Sequence, residues 1–138
     1  MKNIAIINGA NLNMLGTRET SIYGAKTLED INKELVEMFK AKANLIFFQS
    51  NHEGKIIDFI QELKNINGII INPGAFTHTS IAIRDALLIH KVELIEVHLS
   101  NIHAREDFRK KSLISDIAKG VITGLGAKGY QLALTALC

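Results

Sequence analysis

Short apolar runs alternate along the chain with longer amphipathic stretches. Residues 4–7, 45–48, 68–71, 92–97 and 121–123 are rich in β-branched or aromatic side chains and show little polar alternation, as expected of strands buried on both faces. Between them the apolar positions take a helical period. Thr27 is read as the cap of a first helix, with Asp30 three residues on and Leu28, Ile31, Leu35, Met38 and Phe39 on one face. Ile56, Ile57, Ile60, Leu63 and Ile66 make a second such face. A third helix is expected from about Thr79 to about His90, a short helical piece over 105–112, and a last helix over 128–137.

Strand and helix alternating in this way predict an α/β domain, a parallel sheet with helices on both faces. Five strands in 138 residues suggest a flavodoxin-like order, and the chain is expected to be one domain, 1–138. In such sheets ligands bind beyond the carboxyl ends of the strands. Those ends carry Asn8-Gly-Ala-Asn11, Gln49-Ser-Asn-His-Glu53, Asn72-Pro-Gly74 and Glu96-Val-His-Leu-Ser-Asn101, so hydrogen-bonding residues gather at one edge.

Composition narrows the function classes. The 16 basic and 14 acidic residues are spread along the chain for a net charge of +2, which points to neither a nucleic-acid face nor a membrane-surface helix. The single cysteine, Cys138, allows no internal disulfide. Together with an N-terminus lacking a signal-peptide pattern and no apolar stretch of about 20 residues, it leads to the expectation of a cytoplasmic protein.

The segment from Asn8 to Gly24 has no clean period, and a loop of that length in a small domain is either functional or a flexible surface loop. Its glycines, Gly9, Gly16 and Gly24, suit a lid over about 9–24, and it carries Asn11, Arg18 and Tyr23. Of four arginines, Arg18, Arg105 and Arg109 fall in irregular segments after strands, as gripping an anionic substrate requires; surface ion pairs are the competing account. A guanidinium near the Tyr23 phenol favours its phenolate, a candidate base. His98 stands two residues after Glu96 on one strand, so the two share a face and the carboxylate can orient the imidazole as a proton donor; a buried, satisfied histidine is the bland alternative. His78 is expected at the start of the third helix, where Thr77 or Thr79 would otherwise simply be the cap, and Asp85 lies further along it. His52, His78, His98 and His103 lack metal-ligand spacing, so no metal is expected. Gly124-Leu-Gly-Ala-Lys-Gly129 matches a dinucleotide fingerprint but lacks the strand and acidic residue that should follow, and is read as a close strand-to-helix turn.

Taken together, Asn8 to Glu19 with Tyr23-Gly24, Gln49 to Gly54, Asn72 to Ser80 with Arg84-Asp85, Glu96 to Asn101, and Arg105 to Arg109 resemble, in order and over nearly the whole chain, the type II 3-dehydroquinate dehydratases. The resemblance implies loss of water from 3-dehydroquinate through an enolate to give 3-dehydroshikimate in the shikimate or quinate pathway, without cofactor or metal. It also implies a homododecamer built as a tetramer of trimers. Matched by position, Tyr23 would remove the C2 proton with Arg18 holding it as phenolate, and His98, oriented by Glu96, would protonate the departing hydroxyl. Asn11 would hold a water at the enolate. Asn72, His78 and Arg109 would bind substrate hydroxyls, the backbone at Leu99 and Ser100 the carboxylate, and Asp85 would act near a subunit boundary.

One residue departs from the family pattern, in which the lid usually reads Arg-Glu-Pro. Thr20 follows Glu19 here, and without the fixed dihedral of proline the lid is expected to be at least as mobile as usual; unchanged turnover and KM in Thr20→Pro would count against this. The alternative from another class is a non-catalytic flavodoxin-like module for a nucleotide or anion, which accounts for the glycines but not for Tyr23, Arg18, Glu96 and His98 together.

Overall fold

The apolar runs form five parallel strands in a computed structural model that describes residues 1–17, 21 and 25–138. They are β1 (Lys2–Asn8), β2 (Ala43–Gln49), β3 (Gly68–Asn72), β4 (Glu93–His98) and β5 (Gly120–Thr123), in the sheet order β2-β1-β3-β4-β5. This is the flavodoxin-like order expected of the alternating pattern. Among the described residues the α-helices are α1 (Leu28–Phe39), α2 (Glu53–Glu62), α3 (Ile81–Leu87) and α4 (Lys128–Leu137).

The two-residue period of the strands divides their side chains between two cores. Ile4, Ile6, Ile70, Ile95 and Val97 pack against Ile31, Leu35 and Phe39 of α1 and Ala133 and Leu134 of α4. Ala5, Ile7, Ile69, Ile71 and Leu94 pack against Ile56 and Ile60 of α2 and Ile83 and Ala86 of α3. Each fully buried isoleucine or leucine contributes about 1.5–3 kcal/mol of transfer free energy, so both faces are closed by helices and only the strand ends are left for a site.

Helix ends follow local chemistry. Thr27 caps α1 in a complete capping box: Thr27 Oγ1 accepts from the Asp30 N–H and Asp30 Oδ2 accepts from the Thr27 N–H, each at 3.1 Å. The third helix is shorter than expected because Ser80, not Thr77 or Thr79, caps it, Ser80 Oγ accepting from the Ile83 N–H at 2.9 Å. Beyond it Ile89 and His90 donate three residues back, to Ala86 and Leu87, which tightens the end. The expected helical piece over 105–112 is absent as such: only Asp107–Arg109 forms a single 3-10 turn. The backbone N–H groups after it are taken by other partners, Leu113 by the Thr77 carbonyl and both Ile114 and Ser115 by Ser112 Oγ.

The loops after β1 and β3 interlock. Gly9 donates to the Asn72 carbonyl at 2.8 Å, and a Cβ at Gly9 would lie 2.1 Å from the Pro73 oxygen. Gly9 is therefore required by close backbone approach rather than by lid freedom. Gly74 answers it from the other side, with φ +62° and a would-be Cβ 2.7 Å from the Ala10 oxygen. The glycine-rich segment at 124–129 joins β5 to α4, and its Gly124 and Gly126 N–H groups bond the His98 and Leu99 carbonyls at 3.2 and 2.9 Å. It braces the end of β4, as a strand-to-helix turn.

Candidate active site

Beyond the carboxyl ends of β1, β3 and β4 lies a cavity of about 150 Å³. It is lined by Asn11, Asn72, His78, His98, Leu99, Ser100, Arg105 and Arg109, with Leu12, Met14, Leu15 and Ile102 among the apolar contacts. Its ionisable lining residues among those described, His78, His98, Arg105 and Arg109, are all basic types, so the cavity favours an anionic ligand.

Each strand end delivers its residue differently. Asn11 has φ 70°, a left-handed conformation that asparagine tolerates, and its N–H donates to Asn51 Oδ1 at 2.8 Å. The end of β2 thus braces the site without lining it; Gln49 Nε2 does the same by donating to the Gly9 carbonyl at 3.2 Å. Asn72 ends β3. His78 lies not at a helix start but in the 3-10 turn Gly74–His78. Its Nδ1 is 2.7 Å from the Lys111 carbonyl, which can only accept. Nδ1 therefore carries the proton, and in the neutral ring Nε2 is left as an acceptor.

Glu96 and His98 share one face of β4, as two-residue spacing requires, and His98 Nε2 is hydrogen-bonded to Glu96 Oε2. Glu96 is wholly buried and His98 nearly so. A buried carboxylate needs a full set of donors, and this one has it. Thr77 Oγ1 donates to Oε2 at 2.8 Å, Ser115 Oγ to Oε1 at 2.6 Å, and the Ser112 hydroxyl lies 2.9 and 3.0 Å from the two oxygens. Burial works against ionisation. The hydrogen bonds from His98 and Ser115, the His98 charge and the Thr77 hydroxyl outweigh it and hold the carboxyl below its ordinary range. With Nε2 committed to Glu96, Nδ1 is the nitrogen of His98 left to exchange a proton with a ligand.

Arg109 Nε donates to Glu106 Oε1 at 3.0 Å, and Arg105 Nε lies 3.9 Å from the same oxygen. The Glu106 carboxyl is held down first by its own backbone N–H and then, against some desolvation, by these two guanidinium groups. Arg105 Nη1 also donates to Ser100 Oγ at 3.5 Å.

Of the residues singled out in the sequence, Asn11, Asn72, His78, His98, Leu99, Ser100 and Arg109 line one cavity, with Glu96 directly behind His98. Asp85 does not line it; it is exposed on α3. Tyr23 and Arg18 lie outside the described residues, as do Thr20 and Gly24 of the expected lid. Sequence reasoning did not assign Thr77, Ser112 and Ser115 to the site. Nothing in their spacing marks them, because their common partner is a carboxylate on another element. Arg105, which the sequence groups with Arg18 and Arg109 as suited to an anionic substrate, lines the cavity beside Arg109. Among the described residues no three His, Cys, Asp or Glu side chains form a metal-binding group, and no helix is long and apolar enough to cross a membrane.

Comparison with known proteins agrees over the whole chain. The family model described as dehydroquinase class II matches residues 2–138. A 3-dehydroquinate dehydratase of Prochlorococcus marinus (strain MIT 9301) is 59% identical, the match covering 99% of this chain and 95% of that protein. One from Halothermothrix orenii is 55% identical, covering 99% and 94%. The crystal structure of a type II dehydroquinase from Butyrivibrio crossotus superposes with a TM-score of 0.95 at 47% identity, over 99% of this chain and 97% of that one. That from Propionibacterium acnes gives 0.94 at 42% identity, over 99% and 96%. A family match over residues 2–138, relatives well above half identical, and near-superposable solved structures lead to one conclusion: the chain belongs to the class II dehydroquinase family.

Proposed function

We propose that this cavity dehydrates 3-dehydroquinate to 3-dehydroshikimate, a hydro-lyase step of the shikimate pathway, by anti elimination through an enolate. The observation that carries the reading is a buried imidazole, His98, backed by a fully hydrogen-bonded carboxylate and opening on a cavity whose ionisable lining is basic. The relatives named 3-dehydroquinate dehydratase support the substrate.

The reaction needs a strong base for a proton alpha to a ketone, donors at the enolate oxygen and an acid for the leaving hydroxyl. Tyr23, as phenolate held by Arg18, takes the C2 proton. The C2–H electrons form the enolate, whose oxygen is met by a water held by Asn11. The enolate then re-forms the ketone as the C1=C2 bond is made and the C1–O bond breaks, the hydroxyl leaving as water with the proton from His98 Nδ1. Glu96 keeps the imidazole oriented throughout. Asn72, His78 and Arg109 bind substrate hydroxyls, and the backbone at Leu99 and Ser100 receives the carboxylate.

The enzyme is read as a cytoplasmic homododecamer, a tetramer of trimers. Ile81, Leu88 and Ile89, exposed on and just after α3, support contact between copies there, with Asp85 at the boundary; light scattering after gel filtration tests it. A non-catalytic nucleotide or anion module leaves the Glu96–His98 pair without a purpose. The deciding experiment is ultraviolet absorbance of 3-dehydroquinate with wild type and with Tyr23→Phe. A conjugated enone with wild type alone is expected. An inert wild type would end the enzyme reading, and a mutant of full rate would move the base elsewhere.

A further inference from the structure

Asn8 and Asn72 end adjacent strands and are direct partners in the β1–β3 register. Both are buried, at 1% and 3% exposure, and Tyr130 of α4 is buried completely. The Tyr130 hydroxyl sits between the two amides: it donates to Asn8 Oδ1 and accepts from Asn72 Nδ2, the latter at 3.0 Å. On its other side Asn72 Oδ1 accepts from the Gly74 N–H at 3.2 Å. Of the three residues only Asn72 lines the cavity.

A side-chain amide turned through half a circle exchanges donor for acceptor. The chain of bonds removes that freedom. Because the phenolic proton is spent on Asn8 Oδ1, the Tyr130 oxygen has only lone pairs to offer Asn72, and Nδ2 must face it. Gly74, a donor, demands Oδ1 on the opposite side. Burial pushes the Tyr130 phenol well above its ordinary pKa, outweighing the Asn72 bond, so it remains a neutral hydroxyl with fixed polarity.

We propose that Tyr130 is a positioning residue for substrate recognition: with Asn8 it fixes the Asn72 amide so that the second Nδ2 hydrogen is offered to a hydroxyl of the substrate. The inference rests on the reading of Asn72 as a substrate-binding residue. A bond of this kind is present in both the bound ground state and the transition state, so its loss raises KM and leaves kcat almost unchanged.

The test is a double-mutant cycle on steady-state dehydration of 3-dehydroquinate by Tyr130→Phe, Asn72→Ala and the pair. Tyr130→Phe is expected to raise KM about tenfold, the size of one hydrogen bond, with kcat within about twofold. Asn72→Ala is expected to raise KM at least as much, and the double variant no further, since Tyr130 acts through Asn72. A merely structural role for Tyr130 gives additive effects, or a wild-type KM in Tyr130→Phe, and either overturns the proposal. A wild-type kcat/KM in Asn72→Ala instead overturns the reading of Asn72 itself, and the proposal with it. Should Tyr130→Phe fail to fold, Asn8→Ala, which frees the phenolic proton, carries the same expectation of a raised KM that Asn72→Ala abolishes, and additivity there is equally fatal.

Discussion

Thr77 Oγ1 donates a hydrogen bond of 2.8 Å to Glu96 Oε2, tying the turn after β3 to the buried carboxylate on β4. Ser115 does the same from the 3-10 turn that precedes β5, at 2.6 Å to Oε1. Neither hydroxyl lines the cavity, so both are expected to act by holding Glu96 behind His98. Ser115→Ala should destabilise the fold by about 1.5–3 kcal/mol, the range for a lost hydrogen bond to a charged group. It should lower kcat several-fold and leave KM close to wild type. Chemical denaturation and steady-state kinetics on one preparation check both; a raised KM with intact kcat would place Ser115 in substrate binding instead.

Acid sensitivity should trace partly to Glu96. Its folded-state carboxyl lies below the ordinary 4.5, so its contribution to stability is fully present above that value and is lost as pH falls through the lower folded value. Glu96→Gln should be less stable at neutral pH, lose most activity, and show a shallower fall in urea midpoint on acidification below about pH 4.5. Parallel pH dependence in the two proteins would mean that other carboxylates dominate.

Gly9→Ala tests the interlocked loops. The added methyl would sit 2.1 Å from the Pro73 oxygen, which is backbone and cannot rotate away. A loss of roughly 3 kcal/mol is expected, in the range of overpacking strain, with activity falling as well because the displaced residues adjoin Asn11 and Asn72. Thermal unfolding reads the first effect. Wild-type stability would show that the two loops separate at little cost.

Thr27→Ala serves as the contrast. It opens the capping box of α1 and should cost about 1 kcal/mol. Thr27 does not line the cavity, so kcat and KM in enzyme that remains folded should stay at wild-type values. A change in either would link α1 to the reaction.

Sheet, helix faces and most of the site were legible because each depends on local spacing. Isoleucine-rich runs at 4–7 and 68–71 cannot be half exposed, so a parallel sheet with two covered faces follows from them. Glu96 and His98 share a face because residues two apart on a strand must. The capping box at Thr27 needs only its own four residues. The family motifs likewise lie in continuous blocks, and the one sequence departure noted, Thr20, falls outside the described residues.

What only the tertiary structure decided are relations between residues far apart in the chain. The third helix is capped by Ser80 and not by Thr77, whose hydroxyl is drawn to Glu96, a partner 19 positions away. The segment expected to be helical over 105–112 is held to one 3-10 turn, and the N–H groups just beyond it, of Leu113, Ile114 and Ser115, go to the Thr77 carbonyl and Ser112 Oγ instead of continuing a helix. Tyr130 and Asn8 meet across 122 positions, although a tyrosine on a helix's apolar face already announces a phenol in need of a partner. Sequence determines which groups must be buried and at what period; which buried donor meets which buried acceptor is chosen by packing, because satisfying those groups is a condition on the whole fold.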